Sequence, residues 1–247
     1  FLDYVAHDKL DPIVMAQMVG GMAKACKENG VSLIGGETAE MPGVYMTGEH
    51  DIAGCITGVV EKDGIITGER IEEGDILLGF PSSGLHTNGF SLARKILFAN
   101  ENNSGKHDVS TNVPELGMTV GEALLKVHVN YSVPVLDMLS KGIDIRGIAH
   151  ITGGGFIENI PRVLPKDLDA EINLNTWPML PIFPYMEKLG NVPTEQMYRV
   201  FNMGIGLILI MPKSEKEKIE TILKDYPEFS IYEIGKIIKG DKKVILK

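Results

Sequence analysis

The chain has 247 residues, of which 44% are hydrophobic, and this is enough for one large domain or two modest domains. Its 24 basic and 33 acidic residues give a formal net charge of −9, which argues against nucleic acid or an anionic membrane surface as a partner and favours a small-molecule ligand. No apolar run approaches the roughly 20 residues of a transmembrane helix, and the two cysteines lack the spacing of a disulfide framework or zinc site, so a reducing cytoplasm is the expected location.

The first predicted element is an amphipathic helix. Asp11 and Pro12 are typical of a helix start, with a capping carboxylate followed by proline at the first helical position. Apolar residues then recur at helical spacing from Met15 to Cys26, and Gly30 ends the pattern. One face of this helix is therefore expected to pack against a sheet.

Two strands are predicted after this helix, with a glycine-rich segment between them. Residues 31–34 form a short apolar run that predicts a buried strand, and 51–61 alternate small and β-branched residues as a second strand would. The segment between them begins with GGETAEMPGVY at 35–45, which predicts a flexible connection at the end of the first strand. Its carboxylates, Glu37 and Glu40, are candidate ligand-binding groups.

A second series of elements begins near residue 62. We expect a strand at 75–80, the loop SSGLHTNG at 82–89, a helix at 90–99 capped by Asn88, and a surface loop at 100–112. Further predicted elements are helices from Thr119 and Ser132, an apolar run at 145–149 that leads into HITGGG at 150–155, a helix at 156–163, a strand at 170–174, helices near Tyr185 and at 194–200, a strand at 205–210, a helix at 214–224 and a closing hairpin through Gly240 and Asp241. The alternation of strands and helices predicts an α/β or α+β protein, with one domain at 1–62 and a C-terminal α/β domain, a sheet covered by helices, at 63–247.

Three predicted loops, 35–45, 82–89 and 150–155, combine glycine with polar side chains. Glycine lets the backbone approach a ligand closely, and the start of a helix presents unpaired N–H groups to an anion. Phosphate is therefore the expected ligand group. None of the three loops has the sequence of a Walker A loop or of the dinucleotide-binding fingerprint.

Each of these features also has a purely structural interpretation. Glu37 and Glu40 are either solvated acids or ligands that bind Mg²⁺ together with phosphate oxygens. His86 is either an ordinary loop histidine or a general acid or base. The glycines at 153–155 form either a tight turn or a phosphate-binding cradle. The other histidines interpreted as surface or packing residues are His7, His50, His107 and His128.

Four long segments occur in one chain in a fixed order: GGETAEMPGVY, SSGLHTNGFSLARKIL, HITGGGFIENIPRVLP and FNMGIG at 201–206. Together they make the chain resemble the phosphoribosylformylglycinamidine cyclo-ligases, also called aminoimidazole ribonucleotide synthetases, of purine biosynthesis. One motif alone would indicate only the wider superfamily, which includes selenophosphate synthetase, thiamine monophosphate kinase and the formylglycinamide ribonucleotide amidotransferase.

The resemblance implies a two-domain α/β synthetase whose first domain pairs with its copy in a homodimer. It also implies a reaction on a small-molecule ribonucleotide. ATP, with Mg²⁺, phosphorylates the formyl oxygen of formylglycinamidine ribonucleotide, and a substrate nitrogen then closes the imidazole ring and expels phosphate.

The resemblance further assigns site residues. Glu37, Thr38 and Glu40 would belong to the ATP site, with Glu37 as the Mg²⁺ ligand, and His86 would be the acid/base or oxygen-activating residue. The residues expected to bind substrate and phosphate are Ser82, Ser83, Gly84, Asn88, Gly153, Gly154, Gly155 and Asn202.

The chain departs from the family pattern at its start. Family members carry an upstream segment of the type D-G-V-G-T-K and further aspartates, and nothing like them occurs here. We therefore expect an incomplete N-terminal domain and a chain that binds a ribonucleotide but shows little ring closure alone. The alternatives are another superfamily enzyme that phosphorylates a different small acceptor, and a non-catalytic module that binds a phosphorylated metabolite.

Overall fold

The structure is a computed structural model, and it describes residues 1–100, 103–104 and 107–247. Part of the predicted surface loop at 100–112 therefore lies outside the described residues. The chain divides into two units, Phe1–Ile65 and Ile66–Lys247. In the part of the chain that the structure describes, no helix is long and apolar enough to cross a membrane.

The first unit is a three-stranded sheet with one long helix. Its elements are β1 (Leu2–His7), α1 (Pro12–Glu28), β2 (Gly35–Glu40) and β3 (His50–Cys55). The central strand β1 runs parallel to β2 and antiparallel to β3. The predicted start of α1 is confirmed, because the Asp11 carboxylate accepts hydrogen bonds from the N–H groups of Ile13 and Val14.

The segment GGETAE is a strand, whereas residues 31–34 are not. The predicted strand at 31–34 is therefore wrong, and the strand lies in the segment that is predicted to be a flexible connection. The reason is its pairing with β1, which is not among the predicted elements. Gly36 lies opposite Asp3, and a Cβ at Gly36 would lie only 1.4 Å from the Asp3 Oδ1 atom. Glycine at this position therefore serves the close approach of two strands.

The second unit contains a six-stranded sheet covered by helices. Its helices and strands, in chain order, are β4 (Ile76–Pro81), α2 (Phe90–Leu97), β5 (Ala99–Asn100), β6 (Asn103–Ser104), β7 (Asn112–Val113), β8 (Met118–Thr119), α3 (Val120–Leu124), α4 (Ser132–Ser140), β9 (Gly147–His150), α5 (Gly155–Asn159), β10 (Leu168–Ile172), α6 (Ile182–Gly190), α7 (Thr194–Val200), β11 (Ile205–Met211), α8 (Lys216–Ile222), β12 (Tyr232–Lys239) and β13 (Val244–Leu246). The strand order in the sheet is β13-β10-β12-β4-β11-β9. The predicted mixed α/β class is confirmed.

Apolar side chains pack on both faces of this sheet. Successive residues of β4 alternate between two core clusters, with Leu77 in one and Leu78 in the other. Every residue of β11 is buried, as the continuous apolar run at 205–210 predicts. The central strands are therefore held from both sides, and their ends are fixed positions for the loops that follow.

Two predicted helix starts have different outcomes. The capping box of α3 is confirmed, because Thr119 and Glu122 exchange the expected hydrogen bonds between side chain and backbone. The capping residue of α2 is Gly89, with φ of 81°, and not Asn88. A Cβ at Gly89 would lie 2.4 Å from the Phe201 ring, so packing requires glycine there.

The end of the chain is not the predicted hairpin. Strands β12 and β13 both pair with β10, which lies between them. The Asp169 carboxylate on β10 accepts hydrogen bonds from the N–H groups of Asp241 (2.7 Å) and Lys243 (2.8 Å). These bonds tie the turn between β12 and β13 to a strand that is distant in sequence, which local turn residues do not reveal.

Candidate functional site

Three loops of the second unit meet at one edge of the six-stranded sheet. Strand β11 is antiparallel to both of its neighbours, β4 and β9. The segment before β11 (201–204) therefore lies beside the loops that follow β4 (82–89) and β9 (151–154). The Ser82 N–H donates to the Gly204 carbonyl, and the Ile151 N–H donates to the Gly206 carbonyl, both at 2.9 Å.

Asn202 joins two of these loops through a buried amide. Its Oδ1 accepts hydrogen bonds from the Ser82 hydroxyl (2.8 Å) and the Gly204 N–H (2.9 Å), and its Nδ2 donates to the Gly84 carbonyl (2.9 Å). The residue is only 3% exposed. Asn202 is expected from the resemblance to bind substrate. In the structure, its amide instead forms hydrogen bonds that hold the loop containing Gly84 and His86.

Asn159 fixes the loop after β9 (151–154) in a similar way, although it is not among the predicted site residues. Its buried Nδ2 lies within hydrogen-bond distance of the carbonyls of Thr152 (3.2 Å), Gly153 (3.2 Å) and Gly155 (2.8 Å). A buried amide that satisfies several carbonyls fixes the path of a loop, since a buried polar group without a partner is costly. Its sequence signal is only a polar residue among apolar ones in FIENIP.

The glycines of HITGGG do not share one role. Gly155 has a left-handed backbone, and a Cβ there would lie 2.0 Å from the Tyr198 carbonyl oxygen, so glycine is required for packing against α7. A Cβ at Gly154 would lie 2.7 Å from the Glu158 side chain. Gly153 is exposed, and its nearest neighbour would be the Asn88 Oδ1 atom, at an ordinary contact distance of 3.5 Å. Of the three, Gly153 is the one that faces open space beside the first loop.

His86 is buried in the loop after β4 (82–89), which is called the first loop from here on. Its backbone is left-handed (φ of 58°), a conformation that is uncommon outside glycine. Its Nε2 accepts hydrogen bonds from the N–H groups of Ser83 (3.2 Å) and Val129 (3.4 Å). The ring proton must therefore be on Nδ1, which has no hydrogen-bond partner among the described residues. Burial, followed by the proximity of His128 and His150, lowers the pKa of His86 to about 3, so the ring is neutral at neutral pH.

His128 and His150 lie beside His86. His128 is interpreted from the sequence as a surface or packing residue, and His150 only as the first residue of HITGGG. The rings of His86 and His128 stack with centroids 3.9 Å apart, and the Nε2 atoms of His128 and His150 are 3.2 Å apart. Burial lowers the pKa of both residues, and the proximity of His150 lowers that of His128 further. In the sequence, only His150 is marked as a possible site residue, by its position directly before Ile-Thr-Gly-Gly-Gly. His128 has no such mark, because it is far from both partners in sequence.

The nucleotide-site residues predicted in the first unit are on β2, and they alternate between its faces. Glu37 lies opposite Tyr4, and Thr38 lies opposite Val5. Consecutive residues of a strand point to opposite faces, so the side chain of Glu37 is separated from those of Thr38 and Glu40. The structure therefore brings the predicted residues of the second unit together, whereas it divides those of β2 between two faces.

Glu37 and Glu40 also differ in their contacts. The Glu40 carboxylate accepts a hydrogen bond from the Leu10 N–H (2.8 Å) and holds the chain just before α1. Glu37 is exposed, and among the described residues its Oε1 accepts the N–H of the adjacent Thr38 (3.0 Å). Mg²⁺ is commonly bound through one or two carboxylates, with water and substrate phosphates as its other ligands, so an exposed carboxylate such as Glu37 fits this ion. No group of three or more His, Cys, Asp or Glu side chains able to hold a metal occurs within the described ranges.

Comparison with known proteins gives matches along the chain. The family described as AIR synthase related protein, C-terminal domain, matches residues 72–247, and the corresponding N-terminal domain family matches residues 1–60. The phosphoribosylformylglycinamidine cyclo-ligase of Alkaliphilus metalliredigens is 46% identical over 246 residues, which are 100% of this chain and 69% of that protein. The cyclo-ligase of Carboxydothermus hydrogenoformans is 48% identical over 248 residues, covering 100% of this chain and 70% of that protein.

The chain belongs to the phosphoribosylformylglycinamidine cyclo-ligase family. The cyclo-ligase of Bacillus subtilis gives a third match, with 47% identity over 241 residues that cover 98% of this chain and 68% of that protein. The resemblance carried by the four sequence segments is thereby confirmed.

Solved structures of more distant proteins share the cyclo-ligase fold. Thiamine-monophosphate kinase from Stenotrophomonas maltophilia superposes with a TM-score of 0.66 at 11% identity, covering 100% of this chain and 71% of that chain. Hydrogenase maturation protein HypE in complex with ATP superposes with a TM-score of 0.66 at 16% identity, covering 99% and 68%. T. maritima PurL complexed with FGAR has a TM-score of 0.54 at 14% identity, covering 96% and 35%. At these identities the likeness establishes the fold.

The lowered pKa of His86 predicts that the protein loses stability in acid. The unfolded chain takes up the His86 proton below about pH 6.5, whereas the folded chain resists it, so the free energy of unfolding falls as the pH drops from 7 toward 4. Glutamine keeps an acceptor for the two N–H groups and does not titrate. His86→Gln should therefore remove on the order of 2 kcal/mol of the acid-induced loss.

Denaturant unfolding at pH 7 and pH 4.5, followed by the fluorescence of the single tryptophan, Trp177, measures this difference. The control is His107→Gln, which lies elsewhere in the second unit and bonds to the Tyr185 hydroxyl. An equal pH dependence in the wild type and His86→Gln would show that His86 is not held neutral by the fold.

Proposed function

We propose that the chain takes part in the ATP-dependent closure of formylglycinamidine ribonucleotide to aminoimidazole ribonucleotide. ATP transfers its terminal phosphoryl group to the formyl oxygen, and a substrate nitrogen then attacks the formyl carbon, so that phosphate departs and the imidazole ring closes. The observation that carries the proposal is identity of 46–48% to curated cyclo-ligases along essentially the whole chain. It favours this reaction over phosphorylation of a different acceptor and over a non-catalytic binding module.

The ribonucleotide is proposed to bind at the sheet edge where the three loops meet. Helix α2 begins at Gly89 without a side-chain cap, so its first N–H groups are available to a phosphate. The Asn88 side chain lies beside the exposed Gly153, and Ser82, Ser83 and Gly84 complete the loop after β4. A protein of the same fold, T. maritima PurL, has been solved with FGAR.

His86 is proposed to activate an oxygen as a neutral hydrogen-bond donor. Its Nε2 is occupied by two backbone N–H groups, and its Nδ1–H is the polar group without a partner among the described residues. A ring with a pKa near 3 holds its proton on Nδ1 and does not become a cation at neutral pH. Of the two roles expected for His86, this geometry favours activation of an oxygen over acid catalysis by an imidazolium.

ATP is proposed to bind through Glu37, Thr38 and Glu40, with Glu37 as the protein ligand of Mg²⁺. When bound, Mg²⁺ would neutralise charge on the polyphosphate oxygens during phosphoryl transfer. The separation of Glu37 from Thr38 and Glu40 on β2 supports a metal on the Glu37 face of the strand. HypE, which has the same fold, has been solved with ATP.

The direct test is a chimera in which this chain replaces the matching 241 residues of the Bacillus subtilis cyclo-ligase. We expect phosphate release from ATP that depends on formylglycinamidine ribonucleotide and yields aminoimidazole ribonucleotide. His86→Ala in the chimera should lower kcat by roughly 100-fold, the scale of losing one donor to a reacting oxygen, whereas His107→Ala should not. Phosphoryl transfer to thiamine monophosphate, with none to formylglycinamidine ribonucleotide, would replace the proposed reaction by the superfamily alternative.

Glu37→Gln in the same chimera tests the metal assignment, because glutamine keeps the shape and removes the charge. The Mg²⁺ concentration needed for half-maximal rate should rise by about 10-fold or more, while the KM for the ribonucleotide stays within about twofold. Glu49→Gln, in the exposed segment before β3, is the matched control. If Glu37→Gln and Glu49→Gln gave the same Mg²⁺ dependence, Glu37 would be a solvated acid.

A homodimer is proposed to form through the first unit. Nearly all residues of its two edge strands, β2 and β3, are exposed, and several apolar side chains of this unit are also exposed. These include Ile13, Ile34, Ile52, Ile56 and Val59. Exposed sheet edges and apolar side chains in one small unit are typical of a surface that pairs with a copy of itself.

Sedimentation velocity on the chain should therefore give twice the 27.0 kDa mass of the single chain. Ile52→Glu places a charge in the exposed β3 strand and should shift the equilibrium to the monomer. Leu136→Glu, at an exposed position of α4 in the second unit, should leave the dimer intact. A wild-type monomer at micromolar concentration, or equal effects of both substitutions, would contradict the proposed interface.

A further inference from the structure

His128 and His150 direct their Nε2 atoms at each other across 3.2 Å, and neither residue has a role in the reaction proposed above. His150 is the last residue of β9 and is exposed, whereas His128 lies between α3 and α4 and is partly buried. They come from separate parts of the chain, so the contact depends on the folded second unit. Their ring centroids are 5.3 Å apart.

The ring of His128 is held in position by its other neighbours. One face stacks on His86, with an interplanar angle of 20°. Its Nδ1 lies 3.4 Å from the Thr87 hydroxyl, so the Nδ1 side of the ring faces the first loop and the Nε2 side faces His150. A ring fixed through its second nitrogen is the usual arrangement of a histidine whose first nitrogen binds a metal.

The separation of the two Nε2 atoms matches that of two ligands on one metal ion. With zinc–nitrogen bonds of about 2.0–2.1 Å, a tetrahedral angle places two ligand nitrogens about 3.3 Å apart. Imidazole binds such an ion through a nitrogen that carries no proton. The exposure of His150 leaves a path for the ion to enter.

We propose that His128 and His150 chelate a divalent transition-metal ion of the zinc type through their Nε2 atoms. Among the residues that the structure describes, no third His, Cys, Asp or Glu completes a ligand group, so water fills the remaining positions. This is a site for a borderline metal and is distinct in chemistry from the oxygen ligand Glu37, since Mg²⁺ prefers oxygen donors. Because Thr87 contacts His128, the bound ion would lie beside the proposed substrate loop.

The other close histidine pair provides a matched comparison. In the first unit, the Nδ1 atoms of His7 and His50 are 2.6 Å apart, which is a hydrogen-bond distance and is too short to bracket a metal ion. The His7 ring is completely buried, so an ion has no access to that pair from its side. The proposed chelate is therefore specific to His128 and His150.

The experiment is a calorimetric titration of tag-free, metal-stripped chain with ZnCl₂ at pH 7, repeated with CoCl₂ to record visible absorption. We expect one equivalent of Zn²⁺ per chain, a Co²⁺ spectrum of low-coordinate type, and no competition from a 100-fold excess of Mg²⁺. His128→Gln and His150→Gln should each weaken Zn²⁺ binding by about 10-fold or more, while His50→Gln leaves it unchanged.

Absence of binding, or unchanged affinity in His150→Gln, would show that the pair forms only an N–H···N hydrogen bond. Loss of binding in His50→Gln would place the ion at the other pair and also overturn the proposal. If His128→Gln lowers the melting temperature because it loses its stack on His86, the exposed His150→Gln decides the result alone. The titration contains no nucleotide, so its outcome is independent of the ring-closing activity.

Discussion

The pairing of β11 with β4 and β9 is the constraint on which the candidate site depends. Strand β11 is buried along its whole length and is antiparallel to both neighbours, which sets three chain segments side by side at one sheet edge. A shift of this strand by one residue would exchange the side chains of its two faces between the two core clusters. The burial that stabilises the sheet therefore also fixes the position of the loops.

Buried side-chain amides hold the loops in fixed positions relative to the strands. Asn202 connects the segment before β11 to the loop after β4, and Asn159 gathers three carbonyls of the loop after β9. The left-handed glycines Gly89 and Gly155 let helices α2 and α5 start close to neighbouring chain segments, with Phe201 against the first and Tyr198 against the second. The loops are thus preorganised, which reduces the entropy lost on ligand binding.

The sequence predicts those features that depend on neighbouring residues. The start of α1 at Asp11 and Pro12, the capping box of α3 and the apolar run of β11 all follow from local patterns, and the structure confirms them. Three of the four family segments contain the loops that the structure brings together in the second unit.

Features that depend on distant pairing are not predictable in this way. Strand β2 exists because it pairs with β1, and β10 separates β12 from β13 because Asp169 binds their connecting turn. For the same reason, His128 has no recognisable sequence signal and Asn159 has only a weak one, since their importance comes from residues brought together by folding. The alternation of Glu37 and Thr38 between the faces of β2 likewise appears only once the segment is known to be a strand.

The central claim is that the three loops at one edge of the six-stranded sheet form the ribonucleotide site. Amide chemical shifts of the chain, recorded by NMR during titration with formylglycinamidine ribonucleotide, test it most directly. We expect the largest changes at Thr87, Asn88 and Gly153, with smaller changes in the segment before β11. Unchanged loop amides, with changes centred instead on the cavity of about 480 Å³ lined by Tyr185 and Lys188, would contradict the account.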